Sequence, residues 1–343
     1  MPTHLITDCG PALAEWLAAR DYSGLFVLLD ENTRRDCYPR LREHLPPHGT
    51  FTVPAGEAHK TLATCETIWR FLTESRADRH ALVLNVGGGV LGDMGGFCAA
   101  TYKRGVDFAQ VPTTLLAQVD AATGGKLGVD FMGFKNHVGV FAAPAAVFIG
   151  TDFLQTLPER EVRSGFAEVI KHALIADGHA WEELQQRPFG AFDWLPWVRH
   201  SVKIKSDIAT RDPRERGERK LLNFGHTVGH AVESYFLEQP QPLLHGEAVA
   251  VGMWCEAYLS TKRTGLTGTA FGEIKSYLEA TYGRVAIREA DRAAIVPRTL
   301  QDKKNRAGRV LTVLLAAPGR AVWDQPLTAE ELHEALAAYA ATP

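Results

Sequence analysis

The spacing of the apolar residues changes near residue 150, and this limits the fold more than any other feature. Before it, short runs rich in branched residues (GLFVLLD, TFTVP, ALVLNVGGGV, FAQVPTT, AAVFIG) alternate with helical patterns such as TLATCETIWRFLTES. That rhythm belongs to parallel strands joined by crossover helices. After it, FAEVIKHALIA, WLPWVRHSVKIKSDIATR, GHTVGHAVESYFL, EAVAVGMWCEAYLSTKRTG and AEELHEALAAYA all repeat at helical period, and RVLTVLLAAPG is a last strand-like piece. The expected fold is an α/β domain over 1–150 with a Rossmann-like parallel sheet, then a mainly α-helical domain over 151–343. A ligand cleft is expected between the two. With 343 residues, 45% of them hydrophobic, the chain can bury both cores. No repeat or low-complexity tract interrupts it.

Charge and cysteine usage narrow the function classes. A net charge of -3 exerts no long-range pull on nucleic acid or acidic membranes. The five cysteines (Cys9, Cys37, Cys65, Cys98, Cys255) are odd in number, scattered and without a CxxC pair. They point to a reducing compartment and away from a disulfide frame or a thiolate zinc site. No segment has the long uncharged apolar run of a membrane helix, and the N-terminus lacks a basic-then-apolar signal. The expectation is a soluble, cytoplasmic protein with a small-molecule ligand.

Two stretches suit a phosphorylated ligand. VLNVGGGVLGDMGGF puts Gly87, Gly89 and Gly92 in GxGxxG spacing between a strand and a helix of small residues. Backbone amides and a helix N-terminus can there face a pyrophosphate. The motif alone is weak. It looks for an acidic ribose partner about twenty residues on; Asp107 lies there but reads as a surface turn, and Asp30, closing GLFVLLD, is the better candidate. GEAHK reads as a polar turn before a helix starting near Thr61. PTTLLAQVDAATGGKLGVDFMGFKN then places Thr113, Thr114, Asp120, Lys126, Lys135 and Asn136 in a Gly-punctuated stretch too polar for core. With Arg104, Lys171, Lys205, Arg219 and Lys303 or Lys304, these cations imply a small ligand with more than one negative charge.

A third signal is a histidine group, His226 and His230 in LLNFGHTVGHAVE and His245 in LLHGEAVAVG. At i and i+4 in a helix, His226 and His230 project from one face. Glu168 in GFAEVIKHALI adds an oxygen ligand, and imidazole with carboxylate favours zinc over calcium or a redox metal. One such histidine alone is more often a surface or core-edge residue. In the group, Gly225, Gly229 and Gly246 clear space, and Lys171 shares a helix with Glu168.

The runs GGGVLGDMGGFCAATYKRGVDFAQVPTTLLAQVDAATGGKLGVD, FKNHVGVF, TLPEREVRSGFAEVIKHALI, RKLLNFGHTVGHAVE and LLHGEAVAVGM resemble, in this order and over about residues 25–315, the 3-dehydroquinate synthase family of sugar phosphate cyclases. The resemblance implies an NAD- and zinc-dependent lyase of the shikimate pathway, with Co2+ as a possible substitute ion. The implied reaction turns 3-deoxy-D-arabino-heptulosonate 7-phosphate into 3-dehydroquinate and phosphate by transient oxidation, phosphate elimination, re-reduction and aldol closure. It implies zinc ligands at Glu168, His226 and His245, which moves His230 to the substrate side and makes His172 a decoy. It implies catalytic roles for Lys126, Lys171, Asn223 and His230. Substrate contacts would come from these four with Arg104, Asp120, Asn136, Lys205, Arg219 and Lys303 or Lys304. NAD contacts would come from Asp30, Asn32, Glu57, Lys60, Gly88, Gly89, Val90, Asp93, Thr113, Thr114, Asp120, Lys126, Lys135, Phe153, Thr156 and Leu157. Arg104 would reach in from a second subunit, so a homodimer is implied. Leu127, Asp130 and Phe224 depart from the family's common Thr, Asn and Leu, without removing an implied ligand. Other readings are a sibling cyclase, a metal-dependent polyol dehydrogenase, or an inactive binding protein; Lys205, Arg219 and Asn223 favour a carboxylated substrate.

Overall fold

A computed structural model describes residues 3–121, 125–132, 134–299 and 310–341. The chain divides into two compact units, Met1–Val162 with Trp194–Val202, and Arg163–Asp193 with Lys203–Pro343.

In the first unit the elements run β1 (Thr3–Ile6), α1 (Cys9–Ala18), β2 (Leu25–Asp30), α2 (Glu31–Asp36), α3 (Tyr38–Arg42), β3 (Gly49–Val53), α4 (Leu62–Glu74), β4 (Leu82–Gly87), α5 (Gly89–Thr101), β5 (Asp107–Pro112), β6 (Lys126–Phe131), β7 (Phe134–Phe141) and β8 (Ala146–Gly150). Six of these strands form one parallel sheet in the order β1-β8-β5-β4-β2-β3. Strands covered on both faces carry apolar residues without alternation, and β2 and β4 are buried along nearly their whole length. Alternate residues feed two cores. Phe26, Leu28 and Val83 pack with Ile68, Leu72, Met94 and Phe97 of α4 and α5. Leu25, Val27, Leu29, Leu82, Leu84 and Val86 pack with Leu13, Trp16 and Leu17 of α1.

The chain moves from β2 to β3 on one side and returns to β4 on the other. The carboxyl ends of β2 and β4 therefore flank a topological switch point, the position where open α/β sheets bind ligands. The polar stretch after β5 differs from its reading as a Gly-punctuated segment: β6 and β7 form an antiparallel hairpin.

In the second unit, α6 (Glu159–Ala176, entering from the first), α7 (Gly178–Gln185), α8 (Trp194–Arg211, likewise shared), α9 (His226–Leu237), α10 (His245–Arg263), α11 (Gly268–Tyr282) and α12 (Glu289–Thr299) precede a hairpin of β9 (Val310–Ala317) and β10 (Arg320–Leu327) and a last helix α13 (Ala329–Ala341). Helix α10 is buried around its circumference from Ala248 to Ala257, as a central helix must be. It packs against α9, α11, α13 and β9. No described helix is long and apolar enough to cross a membrane.

Candidate functional site

Glu168 lies on α6 with its side chain fully buried. Its Oε2 accepts from Lys171 Nζ, one turn on and equally buried. Its Oε1 lies 3.4 Å from His226 Nε2 and 3.9 Å from His245 Nε2, and has no hydrogen-bond partner among the described residues. A buried carboxylate oxygen left without a donor is costly. Two imidazole nitrogens directed at it make a place for a cation. The three ligand atoms lie within 4.8 Å of one another. A four-coordinate ion with bonds of about 2.0–2.2 Å fits them after a small inward movement, and the nitrogen–oxygen donor set suits zinc or cobalt. Both rings are turned the right way by their other nitrogen. His226 Nδ1 faces the Phe224 carbonyl at 3.1 Å, and His245 Nδ1 faces Glu233 Oε2 at 3.2 Å.

Backbone approach explains why residues so far apart in sequence meet. His245 opens α10, and a Cβ on the next residue, Gly246, would lie inside the contact radius of the Ser164 carbonyl oxygen on α6. One turn beyond Val249, a Cβ on Gly252 would do the same to the carbonyl of Gly225, the left-handed residue before α9. Glu256, fully buried on α10, closes the other end of this contact. It accepts from the amides of Gly225, Thr227 and Val228 at 2.7, 3.1 and 3.2 Å, meeting donors that a helix start leaves unsatisfied. Nearby, burial, helped by Tyr277 and Glu168, pushes the Tyr282 phenol up.

Other cations and polar groups anticipated from sequence also lie in the second unit. His230 is exposed, its ring 5.1 Å from that of His226. Lys205 and Arg219 are buried, with Arg219 Nη1 held on the Pro213 carbonyl at 3.0 Å. Asn223 Nδ2 donates to Glu215 Oε1 at 2.8 Å. His172 is fully buried on α6. Lys303 and Lys304 lie outside the described residues.

In the first unit, Gly87, Gly88, Gly89, Gly92, Asp93, Gln110, Pro112 and Ala117 line a cleft at the end of β4. Val90 is half-buried on the first turn of α5. Thr113 N donates to the Gly87 carbonyl at 3.1 Å, and the Thr114 methyl stands against Gly88. Asp93 accepts from the buried Lys60 Nζ at 2.7 Å. The Lys60 carbonyl in turn accepts from Asp130 N on the hairpin. Asp130 accepts from Asn136 N at 2.7 Å, and Lys135 Nζ sits 3.7 Å from Glu57. Glu57, Lys60, Asp93, Lys135 and Asn136 thus form one connected group, tied by the hairpin. The family-atypical Asp130 is its link, while the atypical Leu127 is core, packed near Gly96. Asp120 is half-buried on a π-helical turn, and Lys126 is exposed at the start of β6.

The remaining anticipated residues are more spread. Asp30 ends β2 and caps α2, accepting from Thr33 N at 2.8 Å, with Asn32 exposed beside it. Phe153 is part of the core, while Thr156 and Leu157 follow on the surface and half-buried. Arg104 is exposed in the turn after α5, the far end of that helix from the glycines. Asp107 is paired with Leu82 at the starting ends of β5 and β4 and accepts from Tyr22.

Residues 50–164 match the family of the 3-dehydroquinate synthase N-terminal region, and residues 165–305 that of its C-terminal region. The chain belongs to the 3-dehydroquinate synthase family. It is 38% identical to the 3-dehydroquinate synthase of Parabacteroides distasonis, over 97% of this chain and 96% of that protein. To that of Halorhodospira halophila it is 43% identical, over 83% and 80%. Among solved structures it resembles 2-epi-5-epi-valiolone synthase from Streptomyces hygroscopicus subsp. jinggangensis, solved with NAD+ and Zn2+ bound. That likeness has a TM-score of 0.84 at 27% identity and covers 99% of this chain and 97% of that one. Glu233 and Glu256 were not anticipated from sequence. Their only signal is a position, Glu233 falling two helical turns after His226 and Glu256 inside an otherwise apolar helix.

Proposed function

We propose that the chain converts 3-deoxy-D-arabino-heptulosonate 7-phosphate to 3-dehydroquinate and phosphate, as an NAD- and zinc-dependent carbon–oxygen lyase of the shikimate pathway. The observation that carries this is the buried convergence of Glu168 Oε1 with the Nε2 atoms of His226 and His245, in a chain of this family. When bound, the dinucleotide accepts and returns a hydride and the metal acidifies the substrate hydroxyl being oxidised. Glu168, His226 and His245 hold the ion. Lys171, its ammonium fixed on Glu168, donates to substrate oxygens beside it.

Recognition of the substrate's charges falls to other residues, most of them in the second unit. Buried Lys205 and Arg219 grip the carboxylate, the guanidinium kept in one orientation by Pro213. Asn223, steadied by Glu215, binds a hydroxyl. His230 with Lys126, Asn136 and one of Lys303 and Lys304 holds the phosphate, whose own oxygen takes the proton during elimination, so no strong protein base is required. The glycine turn Gly88–Val90 and the start of α5 receive the pyrophosphate, and Asp30 and Asn32 the adenosine ribose. Glu57, Lys60, Asp93, Thr113, Thr114, Asp120, Lys126, Lys135, Phe153, Thr156 and Leu157 complete the dinucleotide site in the 1–150 domain and just beyond it. Arg104, a full helix away from the glycines, serves a second copy in a homodimer.

The test is an assay of phosphate and carbocyclic product from the heptulosonate phosphate, with and without chelator, beside sedoheptulose 7-phosphate, glucose 6-phosphate and a plain polyol. Chelator-sensitive release of both products from the carboxylated substrate is expected. Turnover confined to sedoheptulose 7-phosphate would make the chain a sibling cyclase. Net NADH from the polyol would make it a dehydrogenase.

A further inference from the structure

We infer that Glu233 is a positioning residue of the metal centre: its carboxylate accepts a hydrogen bond from the Nδ1–H of His245 and thereby fixes Nε2 toward Glu168. The inference rests on the metal reading above and extends it to a residue outside the ligand set. Glu233 follows His226 by seven residues on α9, so the two side chains leave the helix on nearly the same face. Its side chain is buried, with Oε2 3.2 Å from His245 Nδ1. A carboxylate this deep needs a donor.

The two histidines are held differently. His226 leans on a neutral carbonyl that the backbone supplies; His245 leans on a charge that only a side chain supplies. The carboxylate makes the His245 ring the more basic ligand and locks its tautomer. His230, Glu233 and His245 also offer ligand atoms within 4.8 Å of one another, so Glu233 has a rival role as ligand of a second ion. Ring chemistry decides between them. With Nε2 donating to an ion, a neutral imidazole keeps its proton on Nδ1, which is then a donor and not a ligand. Two ions on one ring would require the doubly deprotonated imidazolate.

Metal affinity and spectroscopy test this in Glu233→Gln and Glu233→Asp, the first removing the charge and the second withdrawing it from reach. In competition with a chromophoric chelator, wild-type protein should bind one zinc per chain. Both variants should bind it about 10–100-fold more weakly, and the visible bands of the Co2+-loaded protein should shift. Equal affinity within about twofold of wild type, with unmoved bands, would overturn the inference while leaving the metal reading intact. Two ions per wild-type chain, one lost on substitution, would also overturn it, making Glu233 a ligand. Wild-type protein that binds no zinc overturns both readings. If neither variant folds, zinc-loaded wild type labelled with 15N at histidine decides. A protonated, deshielded Nδ1 on His245 supports the inference, and an unprotonated one sinks it.

Discussion

At the carboxyl end of the parallel sheet the groups that can face a ligand are mostly backbone: the amides after β4, bared by Gly87, Gly88 and Gly89, and the first turn of α5. Around Glu168 they are side chains, each oriented by a further partner, His226 by Phe224, His245 by Glu233 and Glu168 by Lys171. Glycines serve both regions in different ways. By the sheet they leave surface for a ligand; between α6, α9 and α10 they let backbones touch, and the touching places the ligands. The first design tolerates side-chain change and depends on local conformation. The second depends on long-range packing, so its failures should be larger and should couple stability to metal.

The largest effect should therefore come from the second region. His245→Ala removes one of the three proposed ligands, and turnover is expected to fall about a thousandfold or more with loss of bound zinc, since the ion would contribute several kcal/mol to lowering the barrier. Normal rate and metal content, by assay and elemental analysis, would break the ligand assignment. Next comes Gly246→Ala, which drives a methyl into the Ser164 carbonyl. It should cost about 3 kcal/mol or more in unfolding free energy and lower zinc affinity together with it. Gly88→Ala meets the Thr114 side chain, its methyl 3.1 Å away, and should cost about 1 kcal/mol while weakening NAD and sparing zinc. Denaturant melts with and without each ligand separate the two patterns. If Gly88→Ala harms zinc binding as much, the contrast between regions fails.

The same contrast governs what the sequence discloses. Five parallel strands, the glycine turn and the helical second half are legible because each rests on short-range spacing, and in β2 and β4 burial on both faces writes itself as an unbroken apolar run. The β6–β7 hairpin is not legible. Strand β7 is exposed along most of its length, with only Val138 and Val140 turned to the core, so period-two alternation marks only its second half. Glu233 and Glu256 are not legible either, because a glutamate's burial is decided by a neighbouring helix, here one that arrives through Gly252 and Gly225. Chain spacing alone puts His226 and His230 on an equal footing. The structure separates them, His226 buried against Glu168 and His230 exposed, because α9 turns its first residue inward at the capped end.

An effect smaller than that at Gly246 is expected at Lys60, whose ammonium neutralises Asp93 beside the glycine turn. Lys60→Met removes that positive charge beside the turn proposed to receive the pyrophosphate. NAD affinity should fall by about 2 kcal/mol, roughly thirtyfold, as read by calorimetric titration. An unchanged affinity would mean that Asp93 does not face the dinucleotide, and that the group tied by the hairpin is structural.

The smallest effect separates two aspartates. Asp107 sits at the starting end of β5, level with Leu82, so it lies a full strand from the end of β4 that carries the glycines. Asp30 closes β2 at the switch point, where its carboxylate already caps α2. Asn is as good a cap as Asp, so Asp30→Asn keeps the helix start and removes only the charge available to a ribose hydroxyl. The difference between a charged and a neutral acceptor is about 1 kcal/mol, or some fivefold in NAD affinity. Asp107→Asn should leave that affinity within about twofold, since the charge lies at the wrong end of the sheet and surface charges are screened over this distance. The reverse ranking in a dinucleotide titration would place the adenosine at the other edge of the sheet and remove the switch point from the account of binding.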